Sequence, residues 1–395
     1  MATEYLNKLI NYFEKQPFSE RKLKELPHLL ETHKDVEKMK FFLKNLQHFR
    51  AFYTGENRFQ LFHYFKLALG EEYKKNIGNF FKDSIDEFEG DKKEILELIC
   101  QFLQDLGNFD SAALYAMELC NLCKFEAEIS VDICKAKLLL SSILLKSAKF
   151  EESMREAKAS LEICEKLWPS ESNMHIETSK SLALIALINK KDGKYQEAQI
   201  EYEKAVRIAL SLLGSNDSTV LSYTIELADV YRKIDRFEEA LNYYNRCLES
   251  IESSLGKQHP LYTDTLRSIA IIHKKNGNYP EAQTLYDQAI EILSSLYGKK
   301  HPKVGVYLTD LGDTFRKQEN LQEANKCYYQ ALKIIQENFG WEHPDFAEVL
   351  NSISLIHKKN GEYEEALKLL DKAINIIISC FSPKHIKVKK KKSTK

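Results

Sequence analysis

The chain of 395 residues has no run of eighteen apolar residues, so the sequence lacks a segment that could cross a membrane as a helix. Its first residues also lack the apolar core and the small-residue cleavage site of a secretory signal. Prolines (8) and glycines (14) are few, which leaves little room for disordered linkers. These absences predict a folded protein without a membrane span that stays in the cytoplasm.

Signatures of catalysis are missing as well. The sequence has no GxxxxGK[ST] loop to cradle a phosphate, no GxSxG nucleophile elbow and no HExxH zinc motif. Eight cysteines without a secretory signal indicate reduced thiols in packed helices rather than disulfides. The sequence therefore predicts no enzymatic activity, no cofactor and no metal site.

Charge is distributed unevenly along the chain. Residues 383–395 contain seven lysines and no acid, whereas residues 1–382 contain 50 basic and 58 acidic residues. An acidic body whose aromatic residues occupy core positions argues against nucleic-acid binding. Residues 383–395 are predicted to form a disordered basic tail, with nuclear import and binding to an anionic surface as alternatives.

A period of 42 residues runs through the C-terminal half of the chain. It is clearest in the His-Pro pairs His259-Pro260, His301-Pro302 and His343-Pro344, with an echo at His385. A glycine suited to the left-handed end of a helix stands three residues before each pair, and proline suits the first turn of the next helix. The landmarks therefore predict where helices end and begin.

Small and aromatic residues follow the same period within each unit. Small side chains let two helices approach closely, and tyrosine or leucine four residues later lies on the same helical face. The alanines are Ala198, Ala240, Ala282, Ala324 and Ala366. Each period is therefore predicted to be a helical hairpin.

These residues resemble tetratricopeptide repeats of the 42-residue variety seen in kinesin light chains and nephrocystin-type proteins. The resemblance is strongest over 175–382, and weaker turn signatures upstream extend it to about seven hairpins over 93–382. It implies an all-α fold, a right-handed α-solenoid of helical hairpins. Residues 1–92 do not share the period and are predicted to form a small helical module, similar to the connector that precedes such repeats in nephrocystin-type NACHT proteins. Its short helices are expected to break at Pro17, Pro27, Gly55, Gly70, Gly78 and Gly90.

The resemblance implies a non-enzymatic scaffold or adaptor that holds a protein or peptide segment in a groove lined by the first helices. Two alternatives stay open. The chain is a regulatory remnant or subunit of a nephrocystin-type NTPase that lacks the nucleotide-binding domain, or a truncated, non-functional relative. The likeness to nephrocystins also implies a ciliary association.

Basic dipeptides near the ends of the first helices are not required by the core. They are candidate partner-binding residues: Lys190-Lys191, Arg232-Lys233, Lys274-Lys275, Arg316-Lys317 and Lys358-Lys359. Cations at a helix C-terminus complement its dipole by about 0.3–1 kcal/mol each. Alternatively, the stacked dipeptides form a basic edge that captures an acidic peptide.

The resemblance also places two candidate residues, Arg267 and Asn351, at the centre of the groove. Kinesin light chains carry asparagine where Asn351 stands, but this chain has other residues one to four periods earlier: Thr309, Arg267, Ile225 and Ala183. The groove is further expected to present acids that disfavour capture of a C-terminal carboxylate, namely Glu226, Asp229, Asp310 and Asp313.

The repeats begin an eighth unit at Phe381 that is not completed. The helix before it contains four isoleucines, Ile374, Ile376, Ile377 and Ile378, and part of this stripe would face the missing neighbour. We therefore predict an exposed apolar stripe and self-association through the uncapped C-terminal repeat.

Overall fold

The computed structural model describes residues 2–55, 58–70, 73–170 and 174–380. These residues form helices joined by short connections, and no strand occurs among them. None of the helices in these ranges is both long enough and apolar enough to span a bilayer. The chain divides into two compact units, Met1–Glu171 and Ser172–Lys395. The predicted basic tail and the incomplete eighth unit lie outside the described residues.

The first unit begins with short helices and continues with two helical hairpins. The short helices are α1 (Ala2–Lys15), α2 (Glu20–His33), α3 (Val36–Lys44), α4 (Leu46–Thr54), α5 (Arg58–Leu69), α6 (Tyr73–Asn76) and α7 (Lys82–Asp86). The hairpins are α8 (Lys92–Asp105) with α9 (Phe109–Glu126), and α10 (Val131–Lys146) with α11 (Phe150–Leu167).

One predicted helix break is wrong, because α2 continues through Pro27. Proline has no N–H to donate to the preceding turn, so it normally interrupts a helix. Here Pro27 is itself buried together with Leu26 and Leu30 on the same helix. We infer that burial of this apolar face offsets the missing hydrogen bond.

Aromatic side chains form the centre of the first unit. Phe49, Phe65, Phe81 and Phe102 are fully buried, and their ring centroids lie 4.8–6.3 Å apart in tilted and edge-on pairs. Such pairs contribute about 0.5–1.5 kcal/mol each beyond the burial of their area. A continuous apolar core runs from Ile10 in α1 to Leu144 in α10, so the short helices and the hairpins share it.

Residues 174–380 of the second unit form five hairpins in succession. Their helices are α12 (Ile176–Asp192), α13 (Tyr195–Leu213), α14 (Ser218–Lys233), α15 (Phe237–Ser254), α16 (Pro260–Lys275), α17 (Tyr279–Tyr297), α18 (Pro302–Lys317), α19 (Leu321–Phe339), α20 (Pro344–Lys359) and α21 (Tyr363–Cys380). The prediction of consecutive helical hairpins is confirmed for the described part of residues 175–382.

Histidine marks the start of the first helix in four of these hairpins. The Nδ1 atoms of His259, His301 and His343 each accept a hydrogen bond from the backbone N–H two residues later, at 3.2–3.3 Å. Such a cap satisfies one of the free N–H groups in the first turn. His175 and Asp217 cap the two earlier hairpins at the same 42-residue spacing, which the sequence analysis did not detect.

The glycines before these caps terminate the second helices. Gly214, Gly256, Gly298 and Gly340 have φ between +80° and +86°. A side chain is strained in this left-handed region, whereas glycine adopts it freely. The predicted role of these glycines is confirmed.

Four of the five hairpins bury an alanine together with the tyrosine four residues later. Ala198, Ala240, Ala282 and Ala324 are fully buried, and so are the tyrosines four residues later, Tyr202, Tyr244, Tyr286 and Tyr328. In α18, Gly312 takes the place of an alanine or serine in the other first helices. An added Cβ there would lie 2.6 Å from the ring of Tyr328.

The predicted apolar stripe on the last helix is wrong for the described residues. Ile374, Ile376 and Ile377 are buried, and Ile378 is partly buried. Ile376, Ile377 and Ile378 pack against the core of the last two hairpins. Because these side chains are buried or partly buried, they give no basis for self-association.

Candidate protein-binding face of the repeats

The first helices of the second unit lie next to one another. Helix α14 contacts α16, α16 contacts α18, and α18 contacts α20, while each second helix packs on the first helix of the following hairpin. Residues 42 apart occupy equivalent places in successive hairpins, so they form rows. We call the surface of α12, α14, α16, α18 and α20 the first-helix face.

Two lysines that open basic dipeptides connect neighbouring first helices. The ammonium of Lys190 contacts the carboxylates of Glu226 and Asp229 in α14, with 3.0 Å between Nζ and Asp229 Oδ2. Lys274 Nζ lies 3.5 Å from Oδ1 of Asp310 in α18. Both lysine side chains are largely buried, 10% and 15% exposed. These largely buried ion pairs therefore join the first helices of successive hairpins.

Two arginines at the same register bind acids of their own helix. Arg232 Nε donates to Asp229 Oδ1 at 2.9 Å. Arg316 Nη2 lies 3.2 Å from Asp313 Oδ1, and Tyr328 donates its hydroxyl to the same oxygen at 2.7 Å. The first basic residue is thus neutralised in four of the five dipeptides, while Lys358 in the last one is exposed.

The ionisation of the Lys190 cluster reflects these contacts. Burial alone would lower the pKa of Lys190, but the carboxylates of Glu226 and Asp229 outweigh it and hold the pKa above its ordinary value. Burial likewise opposes ionisation of Asp229, yet Lys190 and Arg232 lower its pKa to about 2. Lys190 and Asp229 are therefore both charged at neutral pH.

The second residue of every dipeptide is exposed. These residues, Lys191, Lys233, Lys275, Lys317 and Lys359, are called here the lysine row. Lys275 pairs with Asp235 at 3.2 Å and Lys359 pairs with Glu319 at 2.7 Å, but these carboxylates are 73% and 78% exposed. Ion pairs at the surface contribute little and exchange readily, so both lysines remain accessible to a partner.

The two residues expected at the groove centre have different surroundings. Arg267 Nε donates to Asp310 Oδ2 at 2.6 Å, and its guanidinium carbon lies 5.5 Å from the ring centroid of Tyr307. Asn351 is half-buried, and its Oδ1 atom is buried without a hydrogen-bond donor among the described residues. The acids expected to define the groove, Glu226, Asp229, Asp310 and Asp313, are all engaged by basic residues.

A further polar cluster on this face was missed by the sequence analysis. Lys303 Nζ lies 2.9 Å from Asp264 Oδ2, and Tyr307 donates its hydroxyl to Asp264 Oδ1 at 2.5 Å. Both contacts join neighbouring first helices, because the residues are 39 and 43 positions apart. The opposite charges of Asp264 and Lys303, separated by nearly one repeat period, could have predicted this cluster from the sequence.

Comparison with protein-family models gives a direct assignment. A tetratricopeptide repeat model matches residues 177–253, 218–275 and 261–337, and a second one matches 346–386. Together they match just over half of the chain. This chain belongs to the tetratricopeptide repeat family. A search of curated proteins finds no match to it.

Solved structures are similar to this chain at low sequence identity, and those with a TM-score above 0.5 share its fold. A Rap conjugation gene regulator of the plasmid pLS20, in complex with the Phr* peptide, is 14% identical with a TM-score of 0.55, over 96% of this chain and 95% of that one. A STAND ATPase with a tetratricopeptide repeat sensor from Pyrococcus horikoshii is 15% identical with a TM-score of 0.52, over 98% of this chain and 54% of that one. A putative kinesin light chain from Podosopora anserina is 24% identical with a TM-score of 0.42, over 51% of this chain and 96% of that one.

Proposed function

We propose that this protein is a non-enzymatic scaffold whose first-helix face binds an acidic segment of a partner protein. The observation that carries the proposal is the contrast within the basic dipeptides. Four of the first residues are neutralised by carboxylates, whereas the lysine row is exposed. The buried cations are explained by their ion pairs within the repeat stack. The stability of the fold does not require an exposed lysine at the same position of all five repeats.

Peptide binding by a protein of this fold supports the proposal. The Rap regulator of pLS20 is in complex with the Phr* peptide, and it matches nearly the full length of this chain. On the first-helix face of this chain, the lysine row supplies long-range attraction for an acidic segment. Arg267 and the accessible part of Asn351 would contact the segment nearer the middle of the face.

Selection from a random library of 15-residue peptides tests this function. We expect the selected peptides to be enriched in Asp and Glu and to bind more weakly as salt rises from 50 to 300 mM, because salt screens exposed charges. Changing all five residues of the lysine row to Gln should weaken binding of these peptides at least tenfold, as measured by titration calorimetry.

A matched control removes the same number of charges from the second helices. The exposed basic residues Lys204, Arg246, Lys326, Lys333 and Lys368 lie there, and changing them to Gln should alter affinity less than twofold. Equal losses in the two variants would show that net charge, not the row, attracts the peptides. Selected peptides without acidic enrichment would reject the acidic partner.

The other interpretations of the sequence stay predictions. These are the NTPase-associated subunit, the truncated relative, the nephrocystin-type assignment with its ciliary association, and the cytoplasmic location. The likeness to the STAND ATPase concerns the fold, because the sequences are 15% identical.

A further inference from the structure

The first unit contains a cavity of about 510 Å³ bounded by the end of α1 and by α2, α3 and α4. Its apolar wall includes Phe18, Leu26, Leu30 and Phe42. Its polar wall includes Lys22, His48 and the ion pair of Lys38 with Glu14. Pockets of this size with apolar walls and a few polar groups are typical of small-molecule sites. The cavity is far in sequence from the five repeats proposed to bind a peptide and does not depend on that proposal.

His48 presents an unused hydrogen-bond acceptor in this cavity. The ring is 7% exposed and stacks on Phe18 and Phe42, with centroid distances of 5.9 and 4.3 Å. Nδ1 lies 3.1 Å from the carbonyl oxygen of Phe42, which can only accept, so Nδ1 carries the proton. Burial, with a smaller effect from the charge of Lys22, lowers the pKa of His48 to about 4. The ring is therefore neutral at pH 7, and Nε2 is an acceptor.

Lys22 presents an unused donor beside it. The residue is 9% exposed, and its ammonium donates to the carbonyl oxygens of Glu14 at 3.1 Å and Gln16 at 2.7 Å. An ammonium has three hydrogens, and the third has no acceptor among the described residues. Lys22 thus closes the end of α1 and keeps one donor for a ligand.

Aromatic residues border the opening of the cavity. Phe41 lines it with 79% of its surface exposed, and Phe18 is 48% exposed. Large exposed aromatic side chains are costly in water unless they are covered by a partner. Their position favours a ligand with a flat apolar ring that stacks between them and the inner wall.

We propose that this cavity binds a small molecule with an aromatic ring that bears a hydroxyl group. The hydroxyl accepts a hydrogen bond from Lys22 and donates one to Nε2 of His48. A carboxylate would gain a charge-assisted hydrogen bond from Lys22 but would set an acceptor against the lone pair of Nε2, and an ammonium group is repelled by Lys22. A hydrocarbon of the same shape leaves both polar groups unpaired.

Three matched compounds test the proposal on the full chain. Binding of 4-ethylphenol, ethylbenzene and 4-ethylbenzoate is followed by NMR, with the ¹⁵N shift of His48 Nε2 as the site-specific signal. Two hydrogen bonds correspond to roughly tenfold or greater preference, so 4-ethylphenol should bind at least tenfold more tightly than ethylbenzene, and more tightly than 4-ethylbenzoate, which cannot donate to Nε2. It should also shift the Nε2 signal at saturation.

Two substitutions serve as a test and its control. His48→Phe should abolish the preference for the phenol, and His63→Phe, a 53% exposed histidine outside the cavity, should retain it. If His48→Phe fails to fold, the change in the Nε2 signal of the wild-type chain on binding 4-ethylphenol still tests the proposal. Equal affinities for the phenol and ethylbenzene, or phenol binding without a response at Nε2, would overturn the proposal.

Discussion

Asp229 is the acid whose loss should disturb the repeat stack most clearly. Its carboxylate is 21% exposed and joins Lys190 from the preceding hairpin to Arg232 of its own helix. Asp229→Asn keeps the shape of the side chain and removes the charge. Lys190 then keeps Glu226 as a partner, whereas Arg232 loses the carboxylate that it binds.

The expected cost follows from the pKa of Asp229, which falls from 3.8 to about 2 in the folded chain. At 1.36 kcal/mol per pKa unit this shift corresponds to about 2 kcal/mol. Removing one partner of a fully buried ion pair costs about 3–5 kcal/mol, and the remaining Glu226 keeps the loss below that range. Because the folded pKa is depressed, the stabilisation is complete above pH 4 and is lost as pH falls toward 2.

Hydrogen exchange measures this loss locally, which matters because repeat arrays can open unit by unit. In Asp229→Asn, amides of α12 and α14 that exchange by local opening should exchange about 30-fold faster at pH 7, the equivalent of 2 kcal/mol. The acceleration should shrink as the pH falls from 5 to 2.5. Glu323→Gln, in an exposed pair with Lys326, should leave the exchange unchanged. Acceleration below threefold at pH 7, or an effect independent of pH, would refute the reasoning.

Three further predictions concern packing, ionisation and backbone conformation. Gly312→Ala should destabilise the chain by about 1 kcal/mol in urea unfolding, because the strain of a Cβ 2.6 Å from the Tyr328 ring exceeds the gain in helix propensity; a stabilised variant would contradict this. The ring of His48 should titrate near pH 4 by NMR. Because the unfolded chain takes up this proton at a higher pH, the free energy of unfolding of the first unit should fall by about 3 kcal/mol between pH 6.5 and pH 4. An ordinary titration near pH 6.5 would show that the ring is not buried. Ala148 has φ of +62°, which strains a residue with a Cβ. Ala148→Gly should therefore raise the free energy of unfolding by about 0.5–1 kcal/mol and raise the urea midpoint; a lower midpoint would exclude strain at this residue.

The sequence determined the repeat architecture because helix boundaries are local. The proline after each histidine fixes φ through its ring, and the glycine before each His-Pro pair permits the positive φ at which the preceding helix ends. The alanine and tyrosine positions were predictable for a similar reason, since a period of 3.6 residues places them on one face of a helix.

Charge pairing was decided by the tertiary structure. Lys190 and Lys191 are adjacent in sequence, yet one binds two carboxylates of the next hairpin and the other is exposed. The direction of each side chain depends on the angle at which neighbouring hairpins stack, and the dipeptide pattern does not contain that angle.

The first unit shows the same division between local and long-range information. Breaks in the pattern of residues 1–92 indicated short helices, but Pro27 does not end one, because the core around Leu26 and Leu30 stabilises the continuous helix. Lys22 and His48 are 26 positions apart and line one cavity only because α2 and α4 both pack on α3. Local preferences thus determined where helices form, whereas burial and the packing of distant helices determined which polar groups remain free to bind.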